Sequence, residues 1–327
     1  MPLPQTQPHL ISFYYDDGAT VVNYLGYSCH SRCNIAFTTI LRIPPITVRV
    51  RSPIVRFAQQ LHTLYGAYEL CDVADLADID VRLLPARGPR RLLAPAVRFV
   101  IDGITPFEPF ELDHALPLFE WGVNWVFAHR MHQHLLLHAA VVERGGRAVL
   151  LPAWPGSGKS TLAASLAWRG WRYLSDEFGI VSLSTLAVLP FPRPAALKNE
   201  SIDVIRRFAA QALIGPTFPR TRKGAVAHMR VPDESVRRAA EPASIAAIVF
   251  PDFQKGAALQ ARPLGQTAAF LKLAHNAFNY EVLGEAAFHA VAAIVRRAQC
   301  RILRYGDLDD AHQAIHDLVE QPVHADV

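Results

Sequence analysis

The chain has 327 residues, 51% of them hydrophobic and 19% charged, with a formal net charge of +4. This composition supports a sizeable core and excludes long disorder, and the charge is too mild to point to nucleic acid. No run of about 18 apolar residues occurs, and Met1-Pro2-Leu3-Pro4-Gln5 is not a basic stretch leading into an apolar block, so no membrane span, no signal peptide and a cytoplasmic location are expected.

Residues 1–115 read as an N-terminal α+β domain without a catalytic constellation. Ser12-Phe13-Tyr14-Tyr15 has strand character, and Ile46 to Val50 alternates as a half-buried strand does. Pro53 to Tyr65 turns helical, with Ile54, Phe57, Leu61 and Leu64 at three- and four-residue spacing. Arg98 to Gly103 reads as a strand entering a turn. The four cysteines are Cys29, Cys33, Cys71 and Cys300. Cys29-His30-Ser31-Arg32-Cys33 is at most half a metal site with no second tight pair, so free thiols are expected.

A second domain, residues 116–327, opens with a helix from Leu116 to Met131 whose Leu118, Trp121 and Trp125 read as a core stripe. Leu135 to Val142 is a buried strand, and Glu143-Arg144-Gly145-Gly146 signals a hairpin. The next strand, Arg147 to Leu151, therefore pairs antiparallel with its predecessor, where an ordinary doubly wound fold would use a helical crossover. It runs into Ala153-Trp154-Pro155-Gly156-Ser157-Gly158-Lys159-Ser160-Thr161. This is a phosphate-binding P-loop with alanine at the first glycine position. Small residues let successive N–H groups face one anion, and a helix from Ser160 to Arg169, stopped by Gly170, adds its dipole. Lys159 is expected at the β- and γ-phosphates and Ser160 on Mg²⁺. Only five of the 33 basic residues are lysines, namely Lys159, Lys198, Lys223, Lys255 and Lys272. A lysine that survives such a bias is wanted as a compact point charge.

Trp171 to Leu174 forms a strand ending in Ser175-Asp176-Glu177, and Phe178 to Leu183 resumes strand character. Two carboxylates at that strand end fall at the carboxyl edge of the sheet, beside the phosphates. Phe191-Pro192-Arg193-Pro194 is a stiff extended loop, and Ser201 opens a helix running to about Leu213. Ile214 to Asp233, rich in proline and basic residues, reads as a long mobile loop. Arg193, Lys198, Arg222 and Lys223 are the basic candidates for phosphate or substrate. Ile245 to Phe250 is a strand, Gln266 to Leu283 and Glu285 to Arg297 are helices meeting at Gly284, and Cys300 to Tyr305 is the last strand. Asp307 caps a terminal helix.

His138 before the hairpin, the P-loop, and Arg169-Gly170-Trp171-Arg172-Tyr173-Leu174-Ser175-Asp176-Glu177 together resemble the catalytic domain of HPr kinase/phosphorylase. The hairpin-fed P-loop is also similar to that of phosphoenolpyruvate carboxykinase. The fuller likeness, through Glu120 to Trp125, His138-Ala139-Ala140, Pro155 to Leu162, Ser175 to Glu177 and Leu197 to Ser201, is to the HprK-related kinase A group. The resemblance implies an α/β P-loop kinase fold with a mixed sheet and ATP-dependent phosphoryl transfer to a hydroxyl. By position, Asp176 matches the carboxylate that takes the acceptor's proton, and His138 matches an active-site histidine. Glu177 stands where the family has a second aspartate, with Ser160 and Glu200 as further metal ligands. A serine of a ribosomal peptide or carrier protein is the leading acceptor, in a homo-oligomer that needs neither nucleic acid nor membrane. The alternative is a nucleotide-gated binding or regulatory module with little transfer, which would not need Asp176.

Overall fold

The computed structural model describes residues 13–14, 20–21, 37–71, 76–86, 94–154 and 156–320. The CxxxC stretch from Cys29 to Cys33 and Pro155 of the P-loop lie outside them. The protein is α/β with mixed sheets, and its chain divides into two compact units. The first holds the described residues up to Phe119, except 43–45 and 61–68. Those two segments join the second unit, which otherwise begins at Glu120.

In the first unit, β1 (Phe13–Tyr14) and β2 (Thr20–Val21) pair antiparallel. Six further strands are β3 (Phe37–Ile43), β4 (Ile46–Ser52), β5 (Leu70–Cys71), β6 (Ile79–Pro85), β7 (Ala96–Ile101) and β8 (Phe110–Glu111). They form one sheet in the order β5-β3-β4-β6-β7-β8, with β4 and β6 parallel. Along β4 every second side chain is buried, Ile46, Val48, Val50 and Ser52, the period of a strand with one face on a core. Helix α1 (Val55–Tyr65) follows β4, and α2 (Ala115–Arg130) follows β8.

The second unit is built on β9 (His134–Arg144) and β10 (Arg147–Pro152), an antiparallel hairpin. Gly145 and Gly146, both at positive φ, make its two-residue turn, as a hairpin with right-twisted strands requires. Next come α3 (Lys159–Ala167), β11 (Arg172–Ser175), β12 (Phe178–Ser182), β13 (Val188–Leu189), β14 (Ala195–Lys198) and α4 (Glu200–Phe208). They are followed by β15 (Phe218–Thr221), β16 (Gly224–Met229), α5 (Asp233–Arg237), β17 (Ser244–Phe253) and β18 (Gln260–Pro263). The chain closes with α6 (Gln266–His275), α7 (Tyr280–Leu283), α8 (Glu285–Arg297), β19 (Gln299–Tyr305) and α9 (Leu308–Glu320).

The main sheet runs β13-β12-β9-β10-β17-β19-β18, with β11 also on β9. The core ladder β10-β17-β19 is parallel and the β9 side antiparallel. Helices cover both faces. Ala140, Val142, Val149 and Leu151 pack with Leu162 and Leu166 of α3, Ile202 and Ile205 of α4, and Ile315 of α9. The alternate residues Ala139, Val141, Ala148 and Leu150 pack with Leu273 of α6 and with Val291 and Ile294 of α8. A small antiparallel sheet, β14-β16-β15, stands apart from the main one. Asp307 Oδ1 accepts from the Asp309 N–H at 2.8 Å and so caps α9.

Three expectations change. The stretch 214–233 is not a loop: it holds the β15–β16 hairpin, with Phe218 and Val226 to Met229 buried, and β16 pairs with β14. Helix α4 stops at Phe208. The helix expected from Gln266 to Leu283 is broken at 276–279, where Asn279 Oδ1 accepts from the Leu136 N–H at 3.0 Å and its amide donates to the His134 carbonyl at 2.8 Å. Among the described residues no helix is long and apolar enough to cross a membrane.

Candidate functional site

The site lies at the carboxyl ends of β10, β17 and β19, within the second unit. Gly156 and Gly158 hold φ of 93° and 89° between β10 and α3. A Cβ on Gly158 would fall 2.6 Å from Tyr305 Oη and 2.9 Å from Phe253 Cβ, so this position demands glycine both for its backbone and for space. The Phe253 N–H donates to the Ser157 carbonyl at 3.2 Å, tying the end of β17 to the loop.

Lys159 opens α3. It is only 7% exposed, and among the described residues its Nζ has no hydrogen-bond partner. Burial lowers its pKa, against the opposing pull of Glu177 and Asp176. A buried ammonium without a hydrogen-bonded partner is costly, and the free α3 N–H groups beside it favour an anion. The cleft around it has a volume of about 560 Å³, within the range of small-molecule sites. Gly156, Ser157, Gly158, Lys159, Ser160 and Thr161 line it, together with His138, Glu177, Lys198, Glu200 and Lys223.

The carboxylates owe their placement to a bulge. Between Tyr173 and Ser175 the pairing of β11 with β9 slips by one residue, and the shifted register continues to Phe178 opposite His138. A bulge of this kind re-aims the side chains that follow it. Glu177 lines the cleft, with Oε1 3.7 Å from His138 Nε2, too far for a hydrogen bond and an ion pair only when His138 is protonated. Burial pushes the Glu177 carboxyl up, and the neighbouring cations, Lys159 foremost, more than reverse this, so the net direction is down. Burial, aided by Lys159, lowers His138 to about 4 and keeps it neutral at pH 7. Asp176 is directed to a second, smaller cavity, where its Oδ2 accepts from the Ala196 N–H at 3.0 Å. Burial first, and Glu177 next, raise its pKa.

Of the basic candidates, Lys198 and Lys223 reach the cleft, and Lys223 Nζ also sits 5.5 Å from the Trp121 ring centre. Arg222, its neighbour at the hairpin tip, is exposed and does not line the cleft. Arg193 is engaged elsewhere. Its guanidinium pairs with the Glu120 carboxylate, donates to the Glu120 carbonyl at 2.9 Å and binds Asn124, while the Tyr65 hydroxyl donates to Glu120 at 2.7 Å. Trp121, read as core, is half-buried on the wall of the smaller cavity.

Among the described residues no group of three or more His, Cys, Asp or Glu is placed to hold a metal ion. Ser160, Glu177 and Glu200 nevertheless line one cleft, and a hydroxyl with carboxylates is a hard oxygen set suited to Mg²⁺ once phosphate oxygens join it. Sequence reasoning missed Phe253 and Tyr305, although residues at the ends of strands parallel to a P-loop strand are where a ligand is met. It also missed Asn199, held at φ 51° between β14 and α4. Asn199 Oδ1 accepts from the Ala225 N–H at 3.0 Å and so clamps the hairpin bearing Lys223 beside the cleft. No family model matches the chain, and no curated protein matches it.

Proposed function

We propose that this protein is an ATP-dependent kinase of HPr kinase-like type, transferring the γ-phosphoryl group to a hydroxyl, with a peptide or protein serine as the leading acceptor. The observation that carries the reading is Lys159: buried, without a hydrogen-bond partner among the described residues, and first in a helix that follows a glycine cradle. Phosphates are the anion this arrangement suits best. In the reaction the acceptor oxygen attacks the γ-phosphorus and its proton passes to Asp176. The bond from that phosphorus to the bridging oxygen breaks, and the electron pair leaves on ADP. The raised pKa of Asp176 makes it a stronger base than an ordinary carboxylate. Lys159, Lys198 and Lys223 hold charge on the transferred group. Ser160, Glu177 and Glu200 would hold Mg²⁺, which supplies further charge neutralisation when bound. The exposed rings of Trp154 and Phe253 on the cleft lining offer apolar surface to the base.

A binding module that uses ATP only as a switch has no need of a buried carboxylate one residue from the phosphate side, which favours the kinase. The test is an intact-mass screen of candidate peptides and carrier proteins incubated with Mg²⁺ and ATP. Phosphate added to an acceptor in a Lys159-dependent manner is expected. Tight nucleotide binding with no transfer to any acceptor and no ATP consumption would favour the binding module instead.

A further inference from the structure

The smaller cavity shares Glu177, Ala196, Lys198 and Lys223 with the nucleotide cleft and continues behind them to Asp176, Arg193 and His228. His228 is 1% exposed, and among the described residues neither of its ring nitrogens has a hydrogen-bond partner. Burial lowers its pKa to about 4, so it is neutral at pH 7. A neutral imidazole carries one donor and one acceptor, and leaving both unmet in an interior is costly. Its charged neighbours on this wall are held by the protein: the terminal nitrogens of Arg193 by Glu120 and Asn124, and Asp176 Oδ2 by the Ala196 N–H. Strand pairing sets His228 directly opposite Ala196. The unmet imidazole is thus one strand away from the group that holds Asp176.

The cavity volume is about 30 Å³. One water needs about 10–15 Å³ on this measure, so the space admits about two non-hydrogen atoms, the size of a hydroxymethyl group. We propose that this cavity receives the hydroxyl-bearing end of the acceptor and that His228 binds it. The inference rests on the kinase reading. The acceptor hydroxyl donates its hydrogen to Asp176 and accepts from the His228 N–H. Its remaining lone pair is left for the γ-phosphorus. An unbranched primary hydroxyl fits, while a methyl-branched secondary alcohol or a phenol overfills the space.

The test uses the full chain with Mg²⁺ and a non-hydrolysable ATP analogue. The imidazole ¹⁵N signals of His228, assigned by their loss in His228→Asn, are followed while N-acetylserinamide is added. N-acetylalaninamide and N-acetylthreoninamide serve as controls. A saturable shift with the seryl probe alone is expected. With ATP in place of the analogue, His228→Asn should raise the KM for N-acetylserinamide about tenfold, the worth of one hydrogen bond, while the KM for ATP holds. A purely structural histidine would move both constants together. If nucleotide binds and the His228 signals stay still, or move equally with the alanyl probe, the subsite is wrong and the kinase reading stands. If no nucleotide binds, both fall.

Discussion

Lys159 and Arg193 are buried cations of the same unit, 7% and 6% exposed. Arg193 lies in a region that answers its charge: Glu120 pairs with it, Asn124 and a carbonyl accept from it, and two tyrosines close the cluster, Tyr65 on Glu120 and Tyr68 on the Pro192 carbonyl. Burial pulls its pKa down, but the attraction of Glu120 and the contribution of Tyr65, with the hydrogen bonds to both, together outweigh burial and raise it. At Lys159 the balance goes the other way, and burial wins. A buried charge paired within the chain does structural work, and removing its partner is what costs. A buried charge left unpaired at the mouth of an anion cradle is held for a ligand. The same comparison sorts the carboxylates: Glu120, Asp176 and Glu177 all line the smaller cavity, but Glu120 is paired with Arg193, whereas among the described residues neither Asp176 nor Glu177 has an arginine or lysine in salt-bridge contact.

The comparison can be broken at several points. The largest effect is expected at Asp176. Asp176→Asn keeps an oxygen for the Ala196 N–H but cannot take a proton, so single-turnover transfer should fall about 10²–10⁴-fold while a nucleotide titration stays near that of the parent. Loss of nucleotide binding would move Asp176 into the metal site, with Glu177 as the base.

Next is Arg193→Ala, which strands Glu120 as an unpaired buried carboxylate and should destabilise by about 3–5 kcal/mol in urea unfolding. Nucleotide affinity of the folded fraction should hold. A stable variant that has lost turnover would place Arg193 among the phosphate-binding groups after all.

His228 makes a pH prediction. Its folded pKa of about 4 lies below the ordinary histidine value, so the unfolded chain takes up the proton first as pH falls. The stability it permits is complete above about pH 6.5 and is lost on descending to about pH 4, by about 3 kcal/mol. Urea midpoints across that range should fall less steeply in His228→Asn than in the parent. Equal slopes would mean that His228 is not buried neutral.

The smallest effect is at Glu177→Gln. It should raise the Mg²⁺ needed for half-maximal turnover about tenfold, with activity recovering as Mg²⁺ is added. No recovery at saturating Mg²⁺ would assign Glu177 to the transfer step rather than the metal.

What the sequence showed clearly was local. Gly145-Gly146 between two apolar runs is enough to predict the β9–β10 hairpin, and Gly158, Gly170, Gly284 and Asp307 mark helix ends by chemistry that acts within a few residues. What it hid was non-local. Arg193 and Lys198 look alike as basic residues after a proline-rich run, and only Glu120, 73 residues away, separates their roles. Pro216, Pro219 and a basic cluster disguised the β15–β16 hairpin as a loop, because its stability comes from pairing with the four-residue β14. With the hairpin went His228, and with it any way to tell Lys223, beside the cleft, from Arg222, outside it. The bulge before Asp176 is equally invisible, since it is a matter of register against β9.

The most direct test of the central claim is one variant measured twice. For the parent and Lys159→Ala, Mg·ATP binding is titrated and thermal stability is recorded without nucleotide. The account predicts that Lys159→Ala loses most of its nucleotide affinity and melts no lower than the parent, because an unpaired buried charge has been removed. A variant that binds Mg·ATP as the parent does, or that unfolds well below it, would contradict the reading of Lys159 as a residue held for phosphate.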